Sequence, residues 1–179
     1  QRLDVFFIIG LPRQTYASVM ETIDYCGSLL ARFGSNGRLA PFISPLAPFL
    51  DPGSPAFEHP EKLGYRLFYR TLEEHRQALK SPSWKYMLNY ETEWMSSDEI
   101  VASTYDAALA FNQLKAEQGL IAPDVAEDVE SRARGAINLM KAIDKIVSEH
   151  GLDSKEMTSL KKEADELSSS SICQKKELY

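Results

Sequence analysis

An α/β fold is predicted, with a parallel βαβ unit leading into a mainly helical extension that ends in an αα-hairpin. Three observations predict it. Leu3-Asp4-Val5-Phe6-Phe7-Ile8-Ile9 is an apolar, β-branched and aromatic run that stops at Gly10, the composition of a strand buried on both faces. Val19, Ile23, Cys26, Leu30 and Phe33 then recur at spacings of four, three, four and three, which places them on one side of a helix. A second run of strand length, Leu39-Ala40-Pro41-Phe42-Ile43-Ser44, follows after the turn Ser35-Asn36-Gly37. Strand, helix and strand in so short a stretch make a parallel, right-handed crossover unit.

Each element carries its own signals. Thr15 stands at the N-cap of the first helix and Gly34 just past its end, because a hydroxyl satisfies free N–H groups and glycine closes a helix at low cost. The second strand runs into Pro45-Leu46-Ala47-Pro48-Phe49-Leu50-Asp51-Pro52-Gly53-Ser54. Proline removes ladder donors, so this segment is expected to be an extended loop with Pro52-Gly53 at the centre of a type II turn. Leu72 to Leu79 suits a short helix, with Glu73-Glu74-His75-Arg76 as its solvated face. Trp84, Tyr86, Leu88 and Tyr90 alternate with Lys85, Met87 and Asn89, which predicts an extended segment with one apolar face.

Helical periodicity returns at Ser97 or Asp98, with Val101, Tyr105, Ala108, Phe111 and Leu114 on one side and an end near Gly119. A longer helix starts at Pro123 and carries Val125, Val129, Ala133, Ala136, Met140, Ile143 and Val147 up to Gly151. Asp153 with Glu156 reads as a capping box, and Met157, Leu160, Ala164 and Leu167 continue the pattern as the second arm of the hairpin. Ser168 to Tyr179 reads as a frayed tail. The organisation is thus 1–63 for the strands, 64–122 for an aromatic segment and a helix, 123–167 for the hairpin and 168–179 for the tail.

The chain has 179 residues, 44% hydrophobic and 26% charged, ordinary values that argue against disordered and fibrous classes. Lys and Arg total 20 against 26 Asp and Glu, a net charge of −6, which disfavours nucleic-acid or anionic-membrane binding. The stretch Leu39 to Leu50 lacks ionisable side chains but is too short for a bilayer and holds Pro41, Pro45 and Pro48. Two cysteines, Cys26 and Cys173, are too few for a disulfide framework, so a reducing, cytoplasmic setting is expected. A buried strand at the very first residues needs edge partners. The chain is therefore expected to be a fragment whose open sheet edges or helices pair with a neighbour or with a second copy.

Chemistry is expected at Gly10-Leu11-Pro12-Arg13-Gln14-Thr15. In parallel α/β folds ligands bind where strands end, since glycine lets a ligand approach the backbone and the next helix offers free N–H groups. The segment is neither a P-loop nor a dinucleotide fingerprint, which need further glycines at fixed spacing. A tight strand-to-helix turn with a cap explains the same residues. His59, His75 and His150 are scattered without zinc-motif spacing, and no serine-hydrolase motif is present. The aromatic stretch from Trp84 to Trp94 either packs as a cover or, through Tyr90, touches substrate.

Phe6-Phe7-Ile8-Ile9-Gly10-Leu11-Pro12-Arg13-Gln14-Thr15 resembles the fifth barrel strand and following turn of radical S-adenosylmethionine enzymes, where Gly-Leu-Pro-Gly-Glu/Gln-Thr is common. Pro45-Leu46-Ala47-Pro48 and Asp51-Pro52-Gly53-Ser54 resemble the exit of their sixth strand. Residues 64 to 121, with Ser83-Trp84-Lys85-Tyr86-Met87-Leu88-Asn89-Tyr90-Glu91-Thr92, are similar to the region after the barrel in the subgroup with an upstream cobalamin-binding domain. The likeness spans about two thirds of the chain.

The resemblance implies that residues 1–63 are the end of a parallel (β/α) barrel. It implies that Ile8 and Gly10 pack on the adenine of S-adenosylmethionine, with the backbone at Pro45 and Leu46 beside it. Phe6 and Arg13 depart from the family's glycine and glutamate positions, and Arg13 also stands where the turn usually has glycine. Arg13 is offered instead as a grip for a carboxylate or phosphate of the substrate, its fork matching either, or as an exposed turn residue. The family's four-iron four-sulfur cluster needs three cysteines of a Cys-x-x-x-Cys-x-x-Cys loop, absent here. The cluster and cobalamin are therefore expected from upstream barrel strands and a cobalamin-binding domain, and the chain alone is expected to bind neither of them, nor S-adenosylmethionine, and to be inactive. The competing expectation is a non-enzymatic helical interaction module, presented by the hairpin.

Overall fold

The computed structural model describes residues 2–34, 37–45, 49–81 and 83–151, together with Met157 and Leu160. The fold is mixed α/β. Strand β1 (Leu3–Ile9) leads into helix α1 (Tyr16–Phe33) and strand β2 (Leu39–Pro45). β1 and β2 pair in parallel, Leu3 opposite Leu39 through Ile9 opposite Pro45. Thr15 caps α1 as the spacing predicts, its side chain accepting from the Ser18 N–H while Ser18 returns a bond to the Thr15 backbone. Gly34 closes the helix in right-handed rather than left-handed geometry, its N–H donating to Leu30 O.

Val19, Ile23, Cys26 and Leu30 form the buried stripe of α1. They share one core with Ile9 of β1 and Leu88, Tyr90, Met95, Ile100, Val101, Ala107 and Phe111 further on. Burying each large aliphatic side chain stabilises the fold by roughly 1.5–3 kcal/mol.

The expectation that β1 is buried on both faces is corrected. Only Ile9 is fully buried, while Leu3 and Phe6 are 62% and 68% exposed. Side chains alternate across a strand, so Val5 and Phe7, whose ring meets Tyr25 of α1 edge-on at 6.1 Å, lie on the opposite face from Phe6. Phe6 stacks instead on Phe42 of β2 at 5.2 Å. Among the described residues β1 pairs with β2 alone; α1 lies over one sheet face, while on the other Phe6 is exposed and Phe42 has Lys115 over its ring at 5.6 Å. This is a partial parallel sheet of two strands, and no barrel is formed among the described residues.

The loop after β2 makes the predicted turn: the Ser54 N–H donates to Asp51 O at 3.0 Å and Gly53 has φ 86°. Helix α2 (Pro55–Glu58) and a 3₁₀ turn (Pro60–Leu63) precede strand β3 (Tyr65–Leu67), which pairs antiparallel with strand β4 (Tyr90–Thr92). Between them lies helix α3 (Leu72–Ala78), capped by a Thr71/Glu74 box. The extended segment expected from Trp84 onward is corrected, because Trp84–Tyr86 is a 3₁₀ turn capped by Ser83 and only Tyr90–Thr92 is strand. A threefold turn sends its side chains in different directions, and each finds a polar partner. Trp84 Nε1 donates to Tyr105 Oη at 3.0 Å, Tyr86 Oη to Asp144 at 2.7 Å and Lys85 Nζ to Asp144 at 2.8 Å.

Helix α4 (Ser97–Glu117) starts from a Ser96/Glu99 capping box. It packs on α1, where Leu114 approaches Gly27 and Gln118 Nε2 donates to Gly27 O at 3.2 Å. Its buried stripe is Ile100, Val101, Ser103, Ala107 and Phe111; Ala108, expected inside, is exposed. Helix α5 (Pro123–His150) ends at Gly151 as predicted. It is tied to α4 by Asn112 Nδ2 donating to Ala126 O at 2.8 Å, and Ile143 is its one fully buried side chain among the described residues. The second arm of the hairpin lies outside the described residues apart from Met157 and Leu160, both helical, and so does the tail. Among the described residues no helix is long and apolar enough to cross a membrane.

Candidate functional site

At the C-terminal end of β1 the chain turns sharply through Gly10, which has φ 93°, a conformation glycine adopts without steric cost. Gln14, given no role of its own from the sequence, organises this turn. Its Oε1 accepts from the N–H of Gly10 at 2.8 Å and of Leu11 at 3.2 Å, and its Nε2 donates to Ile8 O at 3.0 Å. One side-chain amide thus satisfies three backbone groups where the strand loses its ladder. The available signal was an amide, donor and acceptor together, four residues after a strand-ending glycine. Because Gln14 takes both N–H groups, these two are not open to an anion.

Arg13 is exposed and left-handed, with φ 65°. This is the backbone region that favours glycine.

The structure brings Gly10 together with Tyr90, across 80 residues of sequence. Tyr90 Oη lies 2.4 Å from where a Cβ on Gly10 would stand, and two ring carbons lie at 3.2 Å. The phenol therefore fills the space that the missing side chain leaves. Tyr90 is fully buried, its ring edge-on to Tyr65 at 5.5 Å. Among the described residues its hydroxyl has no hydrogen-bond partner, an omission that costs about 1–3 kcal/mol in a buried group. Burial first, and the neighbouring Tyr65 second, push its pKa up, so it stays a neutral donor. Of the other sequence-predicted residues, Ile8 joins the turn through its carbonyl and Pro45 pairs in register with Ile9. Leu46 lies outside the described residues.

A second polar cluster supports the site from below. Asn89, fully buried next to Tyr90, accepts from the Leu50 N–H at 2.9 Å and donates to His75 Nε2 at 3.0 Å. His75 Nδ1 in turn faces Thr71 O at 2.8 Å, which requires the proton on Nδ1 and leaves Nε2 as acceptor. The imidazole sits against Phe49, Phe57 and Tyr69. The reading of residues 73–76 as a solvated face is corrected for His75, which turns inward, while Glu73 and Arg76 pair with each other outside.

Lys85 holds a third cluster, 2.9 Å from Asp98 and 2.8 Å from Asp144. Burial works against its charge, but the two carboxylates outweigh burial and raise its pKa. This is a strut between the 3₁₀ turn, α4 and α5.

Cys26 is buried, and burial pushes its thiol up to about 11, with Lys115 pulling weakly the other way. It is a packing residue rather than a nucleophile at neutral pH. Among the described residues no group of three or more His, Cys, Asp or Glu could hold a metal ion.

Along the flank of β1 runs an apolar groove of about 710 Å³, lined by Leu3, Val5 and Phe7 with Tyr25, Leu29 and Phe33 of α1. No protein-family model, curated protein or solved structure matches the chain.

Proposed function

We propose that the chain supplies the last barrel strands of a radical S-adenosylmethionine enzyme of the cobalamin-binding subgroup. The observation that carries this reading is the incompleteness of the parallel sheet. Two strands whose outer face exposes Phe6, and whose flank is an apolar groove beside α1, match the requirements of a wider parallel sheet rather than of a solvated hairpin. In such a sheet ligands bind at the C-terminal strand ends, where Gly10 and the Gln14-closed turn lie.

In the proposed enzyme Ile8, Gly10, Pro45 and Leu46 border the adenine, and Arg13 reaches for a substrate carboxylate or phosphate. The left-handed backbone of Arg13 supports the likeness, since the turn retains glycine geometry where the side chain departs from the family. The cluster does not fit this chain, which has two cysteines where three thiolates are needed. S-adenosylmethionine bound to that cluster supplies the radical chemistry in the whole protein; the residues here pack the base and close the sheet.

A second reading, the helical interaction module, is favoured by one observation: Val125 and Val129 on α5 remain 48% and 41% exposed. Either reading allows a homodimer through the open sheet edge or this helix. Reading the coding DNA in frame upstream of Gln1 tests the first. A Cys-x-x-x-Cys-x-x-Cys loop after a strand-like run is expected. A start codon directly before Gln1, with no cluster-bearing gene beside it, overturns the enzymatic reading and leaves the module, whose partner should then be lost when residues 123–179 are deleted.

A further inference from the structure

We propose that Tyr90 is an exchangeable plug of the strand-end site: its phenol occupies the flat space over Gly10 in the structure described, and a planar heteroaromatic ligand enters only when Tyr90 withdraws. The inference rests on the reading of Gly10 as a ring-binding strand end, and adds how that end is regulated.

Three observations carry it. The first is steric. With Tyr90 Oη 2.4 Å and its ring carbons 3.2 Å from the position of a Gly10 Cβ, no ring fits between phenol and backbone, so phenol and ligand exclude each other.

The second is the unmet hydroxyl. Tyr16, Tyr69 and Tyr86 donate to Asp106, the Tyr86 carbonyl and Asp144, and Tyr105 accepts from Trp84. Tyr90 Oη, fully buried, is the unpartnered buried side-chain polar atom among the described residues. A phenol kept solely for packing gains nothing from its hydroxyl there, whereas one that exchanges with solvent or ligand regains a partner on leaving.

The third is that its side chain, unlike its backbone, has no polar anchor. β4 and its partner β3 each have three residues, with Tyr90 at the end opposite Leu67. Thr92 anchors the other end by accepting from the N–H groups of Met95 at 2.9 Å and Trp94 at 3.2 Å. The backbone is thus pinned on both sides of Tyr90, at Thr92 and at Asn89, whose carbonyl accepts from the Phe68 N–H at 2.7 Å, whereas the Tyr90 side chain is held by packing alone and moves without either anchor breaking.

A plugged site binds with an affinity reduced by the fraction of molecules in the open state. This gives two substitutions opposite signs. Adenosine, as a planar heteroaromatic probe, is titrated by calorimetry into the full chain, Tyr90→Ala and Tyr90→Phe, with folding checked by circular dichroism. Tyr90→Ala empties the space and should bind about tenfold or more tightly than the unmodified chain. Tyr90→Phe keeps the ring, removes the unmet hydroxyl, favours the closed state and should bind more weakly.

Weaker binding by both variants makes Tyr90 a direct ligand donor and overturns the plug. Equal binding by all three overturns it while leaving the strand-end site intact. Binding by none overturns the site and the plug together. Should Tyr90→Ala fail to fold, the unmodified chain decides: Tyr90 should be protected from nitration by tetranitromethane when free and become nitrated with saturating adenosine, and protection in both states overturns the plug.

Discussion

Replacing Gly10 with alanine should destabilise the chain by about 3 kcal/mol, summed from about 1–2 kcal/mol for a left-handed alanine and about 1–3 kcal/mol for overpacking. The strain comes from φ 93° at Gly10, and the overpacking from a Cβ placed 2.4 Å from Tyr90 Oη. In a chain of this size the melting temperature should fall by about 6–12 °C. The same contact makes the effect separable. Combined with Tyr90→Phe, which removes the clashing oxygen but keeps the ring, Gly10→Ala should recover about 1 kcal/mol or more relative to additivity, read in a double-mutant cycle by urea denaturation. An additive cycle would place the two residues out of contact.

Asn89→Leu is expected to cost about 2–4 kcal/mol, since the two polar groups it strands each cost about 1–3 kcal/mol when buried and unmet. Those groups are the Leu50 N–H and His75 Nε2, bonded at 2.9 and 3.0 Å. Leucine has as many side-chain heavy atoms as asparagine but a larger volume, so some overpacking adds to the lost hydrogen bonds. The cost should appear as a lower urea midpoint with an unchanged slope. A change below about 0.5 kcal/mol, the ordinary range for surface substitutions, would show that the Asn89 bridge does not hold the 49–89 segment.

The contrast between these residues shows what was legible in the sequence. Local chemistry was legible. Thr15, the start of α5 at Pro123 and its end at Gly151 follow from the capping and backbone needs of single helices, and the parallel pair follows from two apolar runs joined by one amphipathic helix.

Contacts made across the chain were not. That His75 turns inward depends on Asn89, and Asn89 also serves Leu50, 39 residues away; a four-residue charged stretch around His75 looks solvated until those partners arrive. The meeting of Tyr90 with Gly10 is of the same kind. Both residues were candidates, each for its own reason, but nothing in the period or spacing of either segment brings them into contact. Burial of β1 was overestimated because an apolar run reports what a strand can bury, not how many strands lie beside it. The alternation from Trp84 to Tyr90 failed since polar partners on Tyr105, Asp98 and Asp144 stabilise a 3₁₀ turn there, outweighing strand propensity.

The proposal that these strands complete a radical S-adenosylmethionine barrel meets its most direct test in product formation. The chain joined to its upstream region, reconstituted anaerobically with iron and sulfide and supplied with a reductant, should convert S-adenosylmethionine to 5′-deoxyadenosine, while the 179-residue chain alone should not. Formation of 5′-deoxyadenosine by the isolated chain, or its absence from the reconstituted whole, would contradict the account.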